Sequence, residues 1–328
     1  MNIVVTGGAG FIGSHLCEAL LCSGNRLVVI DNFNDFYNPD IKRRNIKEIL
    51  HMMKKNNIPE DNLRLYEYDI RDKEAVGKLI GKDIDVVVHL AAMAGVRNSI
   101  QNPKLYYEVN VLGTLNILEA CKASNVGKIV FASSSSVYGN NKTVPFKEED
   151  RVDFPISPYA ATKKSGELMC YTYHLLYSFN IASLRFFTVY GPRQRPDLAI
   201  HKFTEKIFNG EDIPIYGDGT TKRDYTYISD IVDGILKAIE WVNKNENSYE
   251  IFNLGESRTI SLNFMIDTIQ NTIGEKAKKK MLPMQGGDVN ITYADITKAK
   301  QMLGYNPSMQ FEAGIENFIE WYRRVNGR

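Results

Sequence analysis

The chain has 328 residues, 44% of them hydrophobic and 24% charged, with a formal net charge of +1. That composition excludes a disordered or fibrous chain, and the balanced charge gives no electrostatic case for nucleic acid or an acidic membrane surface as a partner. The four cysteines (Cys17, Cys22, Cys121, Cys170) show neither metal-ligand nor disulfide-framework spacing, which suits a metal-free protein of the reducing cytoplasm. No apolar run is long enough to span a membrane. The first strand begins at residue 2, leaving no room for a signal peptide.

Asn2-Ile3-Val4-Val5-Thr6 is an apolar, β-branched run that predicts a strand. It flows into Gly7-Gly8-Ala9-Gly10-Phe11-Ile12-Gly13 and then into an apolar-periodic helix, Ser14 to Cys22. Leu27-Val28-Val29-Ile30 predicts a second strand, ending on Asp31, 18 residues past Gly13. A glycine turn between strand and helix, with an acid at the tip of the next strand, is a dinucleotide-binding βαβ unit. The glycines let the backbone approach a pyrophosphate, and the helix N-terminus offers N–H groups and partial positive charge. Asp31 is placed to accept from the adenosine ribose hydroxyls. A 2′-phosphate would meet its negative charge, so NAD is favoured over NADP.

A polar, aromatic loop (Asn32 to Asp40) and a helix from about Ile41 to Asn56 follow. Leu63 to Tyr66 predicts a third strand, running on to Tyr68-Asp69-Ile70, and Lys73 to Ile80 a short helix. The apolar strand Ile84 to His89 ends in Leu90-Ala91-Ala92, small residues that allow close approach of a dinucleotide. A long helix, Pro103 to Ser124, precedes strand Lys128 to Ala132, which ends in four serines. A second long helix, Pro158 to Phe179, precedes strand Ile181 to Phe186. This alternation predicts an α/β fold with a doubly wound, Rossmann-type parallel sheet.

From Thr188 onward glycines, prolines, arginines and short elements predict a second, smaller lobe over the sheet's C-terminal edge. Ser229 to Trp241 and Glu250 to Asn253 read as a helix and strand returning to the main lobe. Helices near Leu262–Asn271, Ile296–Leu303 and Glu312–Arg323 complete the small one. The expected division is 1–187 with about 225–255 for the dinucleotide, and 188–224 with 256–328 for the substrate. The run Lys276 to Lys280 reads as a solvated face. A cleft between the lobes is the expected site.

Tyr159 and Lys163 are four apart on one helix face. A lysine ammonium near a phenol stabilises phenolate, and a tyrosine so tuned takes a proton from an alcohol as hydride leaves the same carbon. Such a pair is also an ordinary surface feature. It gains meaning beside Ser133-Ser134-Ser135-Ser136, at the end of a predicted central strand where doubly wound folds bind ligands. A Ser134 hydroxyl there can bridge a sugar hydroxyl and the phenol; simple turn chemistry is the other explanation of the serines.

Together Thr6 to Gly13, Asp31-Asn32, Asp69-Ile70, Leu90-Ala91-Ala92, Asn110, Ser134, Tyr159 and Lys163 resemble the extended short-chain dehydrogenase/reductase family, in its nucleotide-sugar epimerase/dehydratase branch, over essentially the whole chain. The resemblance implies tightly held NAD, a Tyr159/Lys163/Ser134 catalytic set and a nucleoside-diphosphate sugar. It implies that Asp69-Ile70 contact the adenine and that Leu90 to Ala92, Asn110 and Phe186 line the dinucleotide path. Arg223 and Asp288 would bind diphosphate and uridine ribose, and Pro214 to Tyr216 would cradle the base. Read from the residues alone, Arg223 is only a candidate anion binder, and an ordinary salt bridge accounts for it equally. In this family the two long helices pair across a two-fold axis, implying a homodimer; buried packing within one chain explains their apolar faces as well.

Dehydratases of the branch carry Asp-Glu after the hydroxyl residue, and decarboxylases usually carry Glu at the second position. Here the positions are Ser135 and Ser136. Ser133 to Gly139, Pro145-Phe146, Arg185 to Pro192, Arg195-Pro196-Asp197 and Ala94-Gly95-Val96-Arg97 with Ser99 are similar to the UDP-glucuronate 4-epimerases. That similarity implies NAD-dependent epimerisation at C4 through a 4-keto sugar, with Arg97, Ser135 and Thr188 near the substrate. A 4-epimerase of UDP-glucose or UDP-GlcNAc, a UDP-glucuronate decarboxylase and an NAD-binding scaffold are the alternatives. Arg193 or Arg195 would restrain the sugar carboxylate. Arg195 is favoured, while phosphate or solvent are the other partners either arginine can take. Arg193-Gln194 departs from the Trp-Gly of many such epimerases.

Overall fold

The structure is a computed structural model describing residues 1–283 and 289–328. Asp288, assigned above to the uridine ribose, lies outside the described residues.

In chain order, β1 (Asn2–Thr6) turns into α1 (Phe11–Cys22) and returns as β2 (Arg26–Ile30), followed by α2 (Pro39–Lys55), β3 (Leu63–Tyr66), α3 (Lys73–Leu79) and β4 (Val86–His89). Helices α4 (Val96–Gln101) and α5 (Pro103–Tyr107), a π-helical turn (Glu108–Gly113) and α6 (Thr114–Ser124) lead to β5 (Lys128–Ser134). Helix α7 (Pro158–Tyr177) leads to β6 (Asn180–Phe186). Beyond it lie β7 (Thr188–Tyr190), α8 (Ala199–Phe208), β8 (Asp212–Tyr216), β9 (Lys222–Arg223), β10 (Tyr225–Tyr227), α9 (Ile228–Lys244) and β11 (Tyr249–Leu254). The chain ends with β12 (Ile260–Ser261), α10 (Leu262–Ile273), β13 (Lys278–Leu282), α11 (Thr297–Leu303) and α12 (Phe311–Asn326).

Seven strands form one sheet in the order β11-β6-β5-β4-β1-β2-β3, all neighbours parallel. A parallel sheet is covered on both faces, so its central strands are apolar throughout rather than alternating. Ile3, Val4 and Val5 of β1 and Val86, Val87 and Val88 of β4 are all buried. Side chains still alternate in direction. Ile3 and Val5 join a core with Leu16 and Leu20 of α1 and Ile235 of α9. Val4 joins an opposite core with Ile117 of α6 and Cys170 of α7. The winding reverses between β1 and β4, and the crevice beyond Thr6 and His89 is the switch point where such sheets take ligands.

The structure differs from the sequence reading in two places. The helix expected from Pro103 to Ser124 is interrupted by the π turn. Its widened backbone places Asn110 opposite the tail of β4, and Thr114 Oγ1 donates to Asn110 O at 2.6 Å. The residues after Phe186 also form three two-stranded ladders, β7 with β10, β8 with β13 and β9 with β12, whose partners lie far apart in sequence. Lys278 to Lys280, read as a solvated face, are exposed, but their backbone is the strand paired with β8. Among the described residues no helix is long and apolar enough to cross a membrane.

Candidate active site

Gly7 leaves β1 with φ +72°. A Cβ there would stand 2.9 Å from the backbone of Ala91, and one on Gly13 would overlap Gly7 O. The turn is therefore closed between the tail of β4 and the first turn of α1. Gly10 caps α1 without a side-chain acceptor, and no acid occupies the first turn, so the helix's first N–H groups remain for an anionic ligand. A cavity of about 470 Å³ starts here. Gly7, Gly10, Phe11, Ile12, Gly13, Asp31, Asn32, Asp69 and Ile70 line one end; Leu90, Ala91 and Ala92 the middle; Ser134, Tyr159, Lys163 and Phe186 the other. Length, small residues and glycine cradle fit an extended dinucleotide. Alanine at Gly13 is expected to cost about 1–3 kcal/mol of stability by overpacking and to yield protein largely without bound dinucleotide, checked by nucleotide released on denaturation.

Asp31 is buried, accepting from Ala9 N (3.2 Å), Phe33 N (2.9 Å) and Lys42 Nζ (2.9 Å). Lys42, which the sequence reading missed, balances its charge. With its charge so balanced, the carboxylate offers a ligand hydroxyl an acceptor more than it offers a phosphate bare repulsion. Asn32 Nδ2 donates to Asp69 Oδ2 at 2.9 Å. Burial raises the Asp69 carboxyl, but hydrogen bonds from Arg71 and Asn32 outweigh it and hold it below its ordinary value. Asn110 does not line the cavity. It accepts from Met93 N (2.8 Å) and donates to Met93 O (2.9 Å) and Thr162 Oγ1 (3.0 Å), bracing the loop after β4 against α7.

At the other end, Ser157 caps α7 by accepting from Ala160 N at 3.1 Å, with Pro158 in the first helical position. This sets Tyr159 in the first turn and Lys163 one turn on. The rings of Tyr159 and Tyr106 meet edge to face at 6.2 Å. Burial pushes the Tyr159 phenol above its ordinary value; its hydrogen bond with Ser134 and the charge of Arg195 pull the other way. The expectation that Lys163 lowers this phenol is not met by the present geometry. Lys163 Nζ donates instead to Ala132 O at 2.7 Å, and burial lowers the ammonium to about 8. The serines divide by role. All four border the cavity, but the Ser133 hydroxyl is committed to Glu167 Oε1, to which it donates at 2.6 Å, whereas Ser134 donates to Ser136 Oγ at 3.1 Å within the lining.

A second cavity, of about 190 Å³, adjoins the first through Val96, Ser135, Ser136 and Thr188 and reaches Arg223 and Thr292. Thr188 and Arg195 also line the larger one. Arg193 is elsewhere. Its Nε donates to Glu48 at 2.7 Å and one terminal NH2 group to Glu18 at 2.6 Å, so it ties its loop to α2 and α1 and is no candidate for a sugar carboxylate. Arg97 stacks over the Tyr216 ring at 5.0 Å. Arg97, Pro214 and Tyr216 lie outside the lining of both cavities. The carboxylates among the described lining residues are Asp31 and Asp69, both at the end with the glycine cradle.

A switch-point crevice with a glycine cradle at one end and a serine, a tyrosine and a lysine at the other defines a dinucleotide-dependent enzyme acting on an alcohol carbon. The family model described as GDP-mannose 4,6 dehydratase matches residues 4–318. The chain belongs to this family of short-chain dehydrogenase/reductase-type epimerases and dehydratases. A UDP-glucuronate 4-epimerase of Thermodesulfobacterium geofontis is 42% identical over 97% of this chain and 95% of its own. An uncharacterized protein of Methanocaldococcus jannaschii is 49% identical over 98% and 96%. The crystal structure of the Bacillus cereus UDP-glucuronic acid 4-epimerase with UDP-glucuronic acid and NAD superimposes with a TM-score of 0.90 at 37% identity, over 99% of this chain and all of the other (100%).

Proposed function

We propose that the chain is an NAD-dependent 4-epimerase converting UDP-glucuronate to UDP-galacturonate. One observation carries the choice within the family: Ser134, Ser135 and Ser136 face the cavity beside Tyr159, and no carboxylate among the described lining residues lies near them. An eliminating enzyme needs acids there to remove a carbon-bound proton and expel a hydroxyl.

NAD, held from Gly7–Gly13 and Asp31 to Lys163, supplies a hydride acceptor and donor when bound. Tyr159 takes the O4 proton and gives it back, and Ser134 orients that hydroxyl. Arg223 holds the diphosphate, so that the 4-keto ring turns about a fixed anchor and presents its other face. Arg195 and Thr188 restrain the carboxylate, which as part of a β-keto acid is prone to leave as carbon dioxide. Residues 1–187 with about 225–255 carry the dinucleotide, and 188–224 with 256–328 the sugar nucleotide. Exposed Leu112 and Leu115 near and on α6, and Leu168, Leu175 and Leu176 on α7, support a homodimer through these helices. A cytoplasmic setting agrees with the cysteines, all free.

The test is purified protein with UDP-glucuronate and no added cofactor. UDP-galacturonate is expected without carbon dioxide. Conversion of UDP-glucose alone, or release of carbon dioxide, overturns the assignment.

A further inference from the structure

The Arg195 side chain is not idle before substrate arrives. Its Nε donates to Asp197 Oδ1 at 2.9 Å and an NH2 group to Oδ2 at 2.7 Å, a two-pronged pair across a single proline. The guanidinium lies 5.2 Å from the Phe36 ring centre, and its side chain is 17% exposed against 34% for Asp197. Arg195 lines the larger cavity with Tyr159 and Thr188, and its charge is felt at Tyr159; Asp197 is absent from that lining. A carboxylate entering the cavity therefore meets an arginine whose charge is already matched.

We infer that Asp197 is a specificity-determining residue that shares Arg195 with the sugar carboxylate. This rests on the epimerase reading above. An epimerase of a charged sugar faces opposed demands. The carboxylate must be held, because loss of carbon dioxide moves its charge into the ring and an adjacent cation disfavours that loss. It must also be let go, because the ring turns over within each cycle. Two of the guanidinium's five N–H groups are committed to Asp197, and the rest remain for a second carboxylate. The anion of Asp197 weakens that second contact by repulsion. The result is a grip that restrains the sugar yet releases it. A neutral sugar makes no such contact and is blind to Asp197.

Asp197→Asn keeps the shape and removes the charge. In NAD-loaded enzyme it is expected to bind UDP-glucuronate about five-fold more tightly, the scale of a partly exposed ion pair. Its kcat on that sugar is expected to fall by a similar factor, while affinity for UDP-glucose stays within about two-fold. Asp197→Glu, which keeps the charge, is expected to retain wild-type values. Equal shifts for both sugars, weaker binding of UDP-glucuronate by Asp197→Asn, or the same tightening in Asp197→Glu each overturn the inference. Titration calorimetry with each Asp197 variant made in the Tyr159→Phe background, which keeps the dinucleotide and lacks turnover, reads the affinities. A wild-type enzyme that binds UDP-glucuronate without epimerising it defeats the epimerase reading and leaves this comparison standing.

Discussion

Tyr159→Phe is expected to lower turnover by about 10²–10⁴-fold, the usual contribution of a positioned acid–base group, while the protein keeps its bound dinucleotide. The substitution removes one hydroxyl. The ring keeps its edge contact with Tyr106, and Ser134 keeps its own hydrogen bond to Ser136. The glycine cradle at the far end of the cavity is untouched. The pH dependence follows from the phenol's surroundings. Burial raises it, so at neutral pH the unliganded enzyme holds little phenolate. Only phenolate accepts the O4 proton, so kcat/KM of the wild type is expected to rise with pH through the neutral range and level off once the phenol has ionised. Residual Tyr159→Phe activity should lack that slope. Because Arg195 pulls the phenol down, its loss should move the wild-type curve to higher pH. Unchanged turnover by Tyr159→Phe, measured alongside its nucleotide content, would rule out the acid–base role.

What was legible in the sequence was what is local. The strand, glycine turn and helix from Asn2 to Cys22, with Asp31 after them, are contiguous, and each piece requires the next. Tyr159 and Lys163 share a face by helical spacing alone. Ser134 was legible because a strand's end is legible. What escaped joins residues distant in the chain. Arg193 meets Glu18 and Glu48 across 175 and 145 positions, and no spacing rule connects them. The π turn at Glu108–Gly113 lies within a continuous run read as one helix, and the apolar period carries no mark of one extra residue in a turn. Lys42 pairs with Asp31 only because the loop after β2 folds α2 back onto the strand's tip. Asn110 was read as lining the dinucleotide path, yet its amide is consumed in bracing Met93. A residue type signals that hydrogen bonds are wanted without saying from whom. The same holds for Arg195: its place in the cavity beside Tyr159 and Thr188 agrees with the sequence reading, and its prior engagement with Asp197 was not legible.

The second large effect concerns Arg185, which the sequence shows as one residue of an apolar strand and the start of a segment carrying the family resemblance, with no partner indicated. Its Nε and NH2 donate to the two oxygens of Glu167 at 2.8 and 3.0 Å, and both side chains are 1% exposed. The pair joins β6 to α7, directly beneath the serines, because Ser133 donates to the same Glu167 oxygen. The guanidinium also lies over the Tyr138 ring at 4.8 Å, whose hydroxyl donates to Asn253 at 2.7 Å. Removing Arg185 leaves the buried Glu167 charge only the longer contact with the partly exposed Lys164 at 3.4 Å, so Arg185→Leu is expected to cost about 3–5 kcal/mol. That is a large part of the 5–15 kcal/mol that usually separates folded from unfolded chains. Replacing both residues by leucine should recover much of the loss, since no charge is then buried unpaired. Burial raises the Glu167 carboxyl, but Arg185 and Ser133 outweigh it and hold it below its ordinary value. Its contribution is therefore complete above the ordinary carboxylate range and is lost as pH falls through the lowered value. Arg185→Leu should unfold at a higher pH than wild type in an acid titration. Glu167→Gln keeps a hydrogen-bonding partner for Arg185 while removing its counter-charge, and tests the catalytic consequence separately. With the end of β5 less firmly held, Ser134 loses alignment with Tyr159, so kcat should fall more than nucleotide affinity. A single variant that melts within about 1 kcal/mol of wild type would show that the end of β5 is held by the sheet's own hydrogen bonds and not by this pair.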